Sequence, residues 1–378
     1  ASRAIQLAGF AGVVTGLYAL HARARKTPDS PTILKVSEGG AFLHLGTVLF
    51  ATVLWHELPS VAVAVAWGAL AFVFIELSDR VEKSALVRQA QVLLLAAVIR
   101  LFFANFVVFG ETFGLSHRVV TVGAIIALVY YMRTLLNTGW GAGLRLVPAP
   151  VFSWIGAGLL VILARFEVGR EFAVAIWSLL ILVFALLGTR LRDVDFRHQA
   201  YLLCLLVFGR AWATNAYLEG SLWGISERIV TTVPSLAALL IVVWIIPRGF
   251  RTEVSDGADS RIARAFAYAD RHARSVIALL FSVQLTLLIY YEMSTDLVSI
   301  GWALAALFLL LIGFVLNERS MRLYGLALLL VCLFKVVFFD LVGVETIYRV
   351  FSFIVLGLVL LLASLGYSRF RDVLGRYL

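Results

Sequence analysis

Residues 292–349 read EMSTDLVSIGWALAALFLLLIGFVLNERSMRLYGLALLLVCLFKVVFFDLVGVETIYR. Glu292 is followed after ten residues by Trp302, after thirty-three more by Lys335 and after five more by Asp340, with Arg349 closing the stretch. The same intervals occur twice upstream. Glu167, Trp177, Arg210 and Asn215 lie 125 positions earlier, and Glu57, Trp67, Arg100 and Asn105 a further 110 earlier. A repeat on this scale sets the architecture, because each copy is one structural unit. Four apolar runs fit in each copy, so the unit is a group of four helices.

Composition places those helices in lipid. Of 378 residues, 62% are hydrophobic and 15% charged, with a mean hydropathy of +0.96; soluble domains are about half apolar and a quarter charged. Backbone groups in hydrocarbon must bond internally, and runs this long and continuous exclude the short alternating strands of a barrel. The formal charge of +9 comes almost wholly from arginines in loops. That is an orientation signal rather than a nucleic-acid surface. Cys204 and Cys332 lie inside spans and belong to no CxxC, so they read as small buried side chains.

The pattern predicts an all-α polytopic membrane protein of about thirteen transmembrane helices, three parallel four-helix repeats plus one leading helix. The leading helix is 3–20. The first unit has spans 39–56, 60–77, 86–108 and 117–135, the second 147–165, 171–188, 198–217 and 228–246, and the third 274–291, 296–316, 322–341 and 346–367. The segments are therefore 1–36 (leading helix and basic loop), 37–145, 146–250, a cytoplasmic amphipathic linker 251–273, and 274–378. Basic loops alternate with short mixed ones. The positive-inside rule puts the basic set and the carboxyl end in the cytoplasm, and the amino end of this chain outside. Four is an even number, so the units are parallel, unlike the inverted repeats of many transporters.

Arg3 opens the leading helix as Arg118, Arg228 and Arg349 open the last helix of each unit. The leading helix thus reads as the final span of a preceding unit in a longer array. Its Gly9, Gly12 and Gly16 offer small-residue packing to a membrane-protein partner. Around 259–272, Ile262, Ala265, Phe266 and Ala269 share a helical face among arginines. That segment is either an interfacial helix on the inner surface or an extension of the following span.

The repeated polar residues all fall in the outer half of the bilayer. Glu57, Glu167 and Glu292 close the first helix of each unit. Arg100, Arg210 and Lys335 sit in the third, with Asn105, Asn215 and Asp340 five residues on. Arg118, Arg228 and Arg349 begin the fourth, followed by Thr121, Thr231 and Ser352. A charge at the bilayer centre costs about 2.5–3.5 kcal/mol on insertion scales, so these groups need partners. The glutamate is the expected partner of the third-helix cation of its own unit, and the fourth-helix arginine that of Asn105, Asn215 or Asp340. Arg100 and Asn105 point about 140° apart on a helix and address different neighbours.

Two readings of this constellation follow. In one, each set is a polar clasp that ties its own four helices together. In the other, one or more sets bind an anionic head group, a glycan or an ion from the outer side. The third set is singular, with lysine and aspartate for arginine and asparagine, which makes Glu292, Lys335, Asp340, Arg349 and Ser352 the candidate binding residues. Trp67, Trp177 and Trp302 open the second helices, at the depth of an aromatic belt.

No HExxH, strand-borne glycine loop or GxSxG occurs. His56 beside Glu57 has Phe166 and Tyr291 at the equivalent positions. No metal, cofactor or catalytic set is therefore assigned. Residues 322–367 carry Lys335, Phe338 and Asp340, then Arg349, Ser352, Phe353 and Gly357. This run resembles the carboxyl-terminal part of a large bacterial family of predicted multi-spanning membrane proteins, in which K-x-F-x-x-D precedes R-x-x-S-F and a glycine-containing apolar run. Here the phenylalanine stands one place late.

The resemblance implies a bacterial cytoplasmic (inner) membrane location and brings no activity. The expectation is a non-enzymatic envelope protein whose outward-facing sites bind a lipid, a glycan or a partner in transport or assembly. The alternatives are a structural subunit of a larger membrane complex and a membrane-embedded transferase acting on a lipid-linked substrate, with Glu292 or Asp340 as its base or nucleophile.

Overall fold

The computed structural model describes residues 32–78, 83–108, 110–112, 114–139, 146–246, 261–295 and 297–336, with scattered positions in 9–17 and 350–365. The chain forms two compact units, 1–167 and 168–378. In the first are α1 (Thr32–Glu57), α2 (Ala62–Ser78), α3 (Lys83–Arg100), α4 (His117–Asn137) and α5 (Ala149–Glu167). In the second are α6 (Ala173–Arg190), α7 (Val194–Ala213), α8 (Glu227–Ile245), α9 (Arg261–Glu292), α10 (Val298–Val315) and α11 (Arg319–Lys335).

Among the described residues, seven helical stretches are long and apolar enough to cross a membrane: 86–105, 117–137, 149–167, 173–190, 227–245, 264–292 and 298–315. The expected span 60–77 lies in α2, an apolar helix of 17 residues. The expected spans 39–56, 198–217 and 322–341 fall on α1, α7 and α11. The expected spans 3–20 and 346–367 lie mostly outside the described residues.

Apolar side chains dominate the outer faces. Phe103, Trp244, Val315 and Leu330 are all at least two-thirds exposed. A soluble protein rarely shows such surface, whereas hydrocarbon tails solvate it freely. Polar side chains turn inward: Gln89, Gln91, Asn105, Asn215, Ser235 and Gln284 are buried. Between them lie apolar cores. Phe74, Leu94, Leu101, Ile125, Met132 and Phe152 form that of the first unit, and Ile181, Leu239, Ile277, Leu309 and Met321 are buried in the second. Cys204 and Cys332 are free thiols buried among these side chains.

Both units use the same device to join a third helix to a fourth. In the first unit α3 runs into one π turn, Leu101–Asn105, and then into a hairpin of β1 (Glu111–Thr112) and β2 (Leu115–Ser116). In the second, α7 ends in a 3₁₀ turn, Asn215–Tyr217, followed by β3 (Ser221–Leu222) and β4 (Ile225–Ser226). The β3–β4 connection has Trp223 at φ 53° and Gly224 at φ 79°, the pair of positive angles that matches the twist of a two-residue hairpin. Gly110 and Gly220 seat the hairpin bases, their carbonyls accepting from the His117 and Glu227 amides at 2.9 and 3.0 Å.

Residues 261–273 belong to one continuous helix of 32 residues, α9. Extension of the following span, rather than a separate interfacial helix or linker, describes this segment. Its inner face is occupied: Asp270 and Ala273 are buried, and Arg274 bonds Glu318.

Candidate functional site

Glu167 and Glu292 meet residues that open the fourth helices, not the third-helix cations. In the first unit, Ser116 caps α4 by accepting from the Val119 amide at 3.2 Å. The same hydroxyl donates to Glu167 Oε1 at 2.6 Å, at the end of α5. Arg118 Nη1 donates to the Phe166 carbonyl at 3.2 Å, with its guanidinium 5.6 Å from the Phe166 ring centroid. In the second unit, Ser226 donates to Glu292 Oε2 at 3.0 Å, and Arg228 Nη1 lies 3.9 Å from that oxygen. Arg228 also donates to the carbonyls of Tyr291 and Leu218. A cation on the last carbonyls of a helix is doubly favoured, by hydrogen bonding and by the negative end of the helix dipole.

This arrangement corrects the expected pairing. Each glutamate closes the first helix of one expected unit, while its serine and arginine open the last helix of the unit before it. The clasp therefore spans consecutive copies of the repeat instead of tying one copy to itself. The physical reason is packing. α5 packs along α4, and α9 packs on α8 more than on α10 or α11.

The remaining sets also find partners other than those expected. Asn105 Nδ2 donates to the Val61 carbonyl at 2.8 Å and Asn215 Nδ2 to the Glu171 carbonyl at 3.0 Å. Both asparagines are fully buried and hold the loop between first and second helices, rather than the fourth-helix arginine. Arg210 Nη2 donates to the Arg170 carbonyl at 2.8 Å, and Lys335 Nζ to Ser299 at 2.7 Å. Arg100 places its guanidinium 4.3 Å from the Trp55 ring centroid. Trp67 and Trp302 do more than mark an interface: their indole N–H groups donate to the carbonyls of Ala51 at 3.0 Å and Thr286 at 3.1 Å. Asp340, Arg349 and Ser352 lie outside the described residues, as does the equivalent junction of the third set.

The space beside the second clasp is small. The cleft at Arg228, Gln284 and Tyr291 holds about 20 Å³, room for about one water molecule and not for a lipid or a glycan. A much larger cavity, about 480 Å³, lies in the first unit among α1, α2 and α3. That is within the range of small-molecule sites. Trp55, Trp67, Val48, Val92 and Leu93 supply apolar wall. One polar line crosses it: Thr47 donates to Gln89 Oε1 at 2.7 Å, and Gln89 Nε2 lies 3.2 Å from His44 Nδ1. Sequence reading missed this site because its residues belong to no repeated motif. The available signal was Gln89, an amide near the start of an otherwise apolar span.

A second polar group also escaped sequence reading. Arg197 and His198 on α7 meet Asp270 on α9 at 3.3 and 3.6 Å, with all three side chains nearly inaccessible. Arg274 bonds Glu318 at 2.9 Å and the carbonyls of Ile246 and Leu316, each at 2.9 Å, and Ser275 donates to Glu318 at 2.9 Å. Asp270 and Arg274 continue, at helical spacing, the buried stripe of Ile277 and Phe281. That stripe was the legible signal. A methyl group built on Gly9, Gly12 or Gly16 meets no described atom within 4 Å, so that face of the leading segment is open.

No curated protein and no solved structure matches the chain. A family model described as "Predicted membrane protein (DUF2339)" matches residues 2–370. With apolar outer faces, seven helices able to cross a bilayer and a match over nearly its whole length, the chain belongs to that family of predicted membrane proteins.

Proposed function

We propose that this protein is a non-enzymatic binding component of the bacterial inner membrane, built as an array of parallel four-helix units joined by serine–glutamate–arginine clasps. The first unit holds a lipid-like amphiphile in transport or assembly of the envelope. The single observation that carries this reading is the cavity of about 480 Å³ among α1, α2 and α3, whose apolar wall is crossed by one hydrogen-bonded polar line. Val48 and Val92, both exposed, line it, so its mouth is in contact with hydrocarbon when the helices stand in a bilayer. The ligand class is then one already present in the membrane. In this reading thirteen spans run in three repeats with a leading helix, the carboxyl end is cytoplasmic, and Glu292, Lys335, Asp340, Arg349 and Ser352 serve the third junction.

A specific observation favours a structural role for the clasps themselves. Their serine, arginine and glutamate groups bond one another and helix-end carbonyls, and the cleft beside Arg228 is too small for a ligand. The clasps set the register of the helices, while binding belongs to the cavity. The transferase alternative requires a carboxylate facing an open cavity, and among the described residues no Asp or Glu lines the cavity of the first unit.

The test is native mass spectrometry of the full chain purified in a neutral detergent, compared with Val48→Trp/Ala96→Trp, which sets two indoles into the cavity. Wild-type protein retains bound lipid and the double variant, equally folded by circular dichroism, loses it. Equal lipid retention by both proteins refutes the proposal.

A further inference from the structure

We infer that the ligand of the first-unit cavity is an anionic membrane lipid, and that Arg100 holds its phosphate. The inference rests on the lipid-binding reading and specifies its head group. Among the described residues, basic side chains stand at both ends of the cavity lining and acidic ones do not line it: His44 and Arg88 at one end, His56 at the other. Arg100 stands beside that second end. Its guanidinium lies on Trp55, a wall residue, and the Trp55 and Trp67 rings are 5.6 Å apart. Arg88 and Arg100 are twelve residues apart on α3, about 18 Å along a helix, comparable with an extended acyl chain.

Arg100 differs from its counterparts in what it bonds. Arg210 donates to a backbone carbonyl and Lys335 to a serine hydroxyl. Both arginines lie over a tryptophan ring, Arg100 over Trp55 at 4.3 Å and Arg210 over Trp177 at 5.7 Å, but among the described residues the Arg100 guanidinium makes no hydrogen bond, and its Nε is buried without one. A buried donor without an acceptor is costly, and a site that leaves one invites a ligand that supplies the acceptor. Stacking on the ring occupies the face of the guanidinium and leaves its in-plane N–H fork open, the geometry that grips two phosphate oxygens at once. The π turn that follows Arg100 contributes to this placement. Asn105, the last residue of that turn, donates to the Val61 carbonyl while Arg100 stays over Trp55.

The third copy of the repeat shows the alternative. Tyr324 takes the position of Gln89 and Thr286 that of Ala51, and the Tyr324 hydroxyl donates to Thr286 at 3.2 Å. An aromatic ring thus stands between α9 and α11 where the first unit leaves space, and the cation of that copy is directed to Ser299 instead.

The experiment adds an equimolar mixture of phosphatidylglycerol and phosphatidylcholine to the full chain in neutral detergent and reads bound lipids by native mass spectrometry. Wild-type protein prefers phosphatidylglycerol by about tenfold, the size expected of charge-assisted hydrogen bonds. Arg100→Gln binds both lipids equally and still binds phosphatidylcholine, Arg100→Lys keeps most of the preference, and Arg192→Gln, an exposed arginine outside the cavity, keeps all of it. Equal binding of the two lipids by wild type, or a preference lost in Arg192→Gln and kept in Arg100→Gln, overturns the inference while leaving the cavity reading intact. Unchanged total lipid in Val48→Trp/Ala96→Trp overturns the cavity reading, and this inference with it.

Discussion

The helices α1–α3 and α9–α11 are built on one plan and filled differently. In each, a tryptophan at the start of the second helix donates to a carbonyl of the first, at Ala51 in one case and Thr286 in the other. In α9–α11 the ring of Tyr324 closes the space, and α9 packs closely on both partners. In α1–α3 the same position is Gln89, which bonds Thr47 and His44 along one line, and α1 touches α2 and α3 more sparsely. The framework hydrogen bond is therefore indifferent to whether a cavity is present. One side chain at one position determines it.

The largest expected effect lies in the closed region. Asp270→Leu removes the buried carboxylate that faces Arg197 and His198, and removing one partner of a buried ion pair costs about 3–5 kcal/mol. The variant should unfold in mild detergent at a clearly lower temperature by size-exclusion fluorescence. Adding Arg197→Met should restore most of the loss, and failure of that rescue would show that the pair does not act as a unit.

The next effect transplants the filling. Ala51→Thr/Gln89→Tyr gives α1–α3 the pair found in α9–α11, so bound lipid in native mass spectra should fall to a small fraction of wild type while the melting temperature holds or rises. The reverse variant, Tyr324→Gln, should destabilise α9–α11 by about 1–3 kcal/mol, because a half-buried ring is removed and the space does not collapse fully. If Tyr324→Gln melts as wild type does, the ring is not what closes that region.

Smaller still are the loop and junction ties. Asn105→Ala and Asn215→Ala each remove a buried amide that serves a loop carbonyl, a loss of about 1–3 kcal/mol where the carbonyl is left unsatisfied. Ser226→Ala removes one transmembrane-type hydrogen bond, worth on average about 0.6 kcal/mol. It should shift the melting temperature least, and a shift larger than that of Asn215→Ala would mean the clasp carries strength as well as register.

The helices were legible because lipid imposes a simple rule: backbone groups must be bonded within the segment, and apolar side chains must cover the outside. The polar positions were legible too, since Glu167, Arg118, Asn215 and Lys335 stand out against apolar surroundings. Their partners were not. Spacing reports which residues share a helix face, but Glu167 is equally close in sequence to helices on either side of it. Packing chose α4, and so the clasp joins consecutive copies. Asp270 was harder, because in a segment rich in arginines its carboxylate reads as a solvated charge until α7 is laid against it. The cavity was hardest of all, since a cavity is an absence of side chains and leaves no motif.

By itself, then, the amino-acid sequence determined that this chain lives in a membrane and which polar residues intrude, at shared intervals, into its apolar stretches. Hydropathy and periodicity are properties of a single segment, and one segment is enough to read them. Only the tertiary structure decided who pairs with whom and where space remains. Ser116 and Ser226 hold Glu167 and Glu292, Arg100 rests on Trp55, and Gln89 leaves open what Tyr324 closes. Those outcomes depend on the relative positions of helices far apart in the chain, and side-chain volume at each crossing settles them.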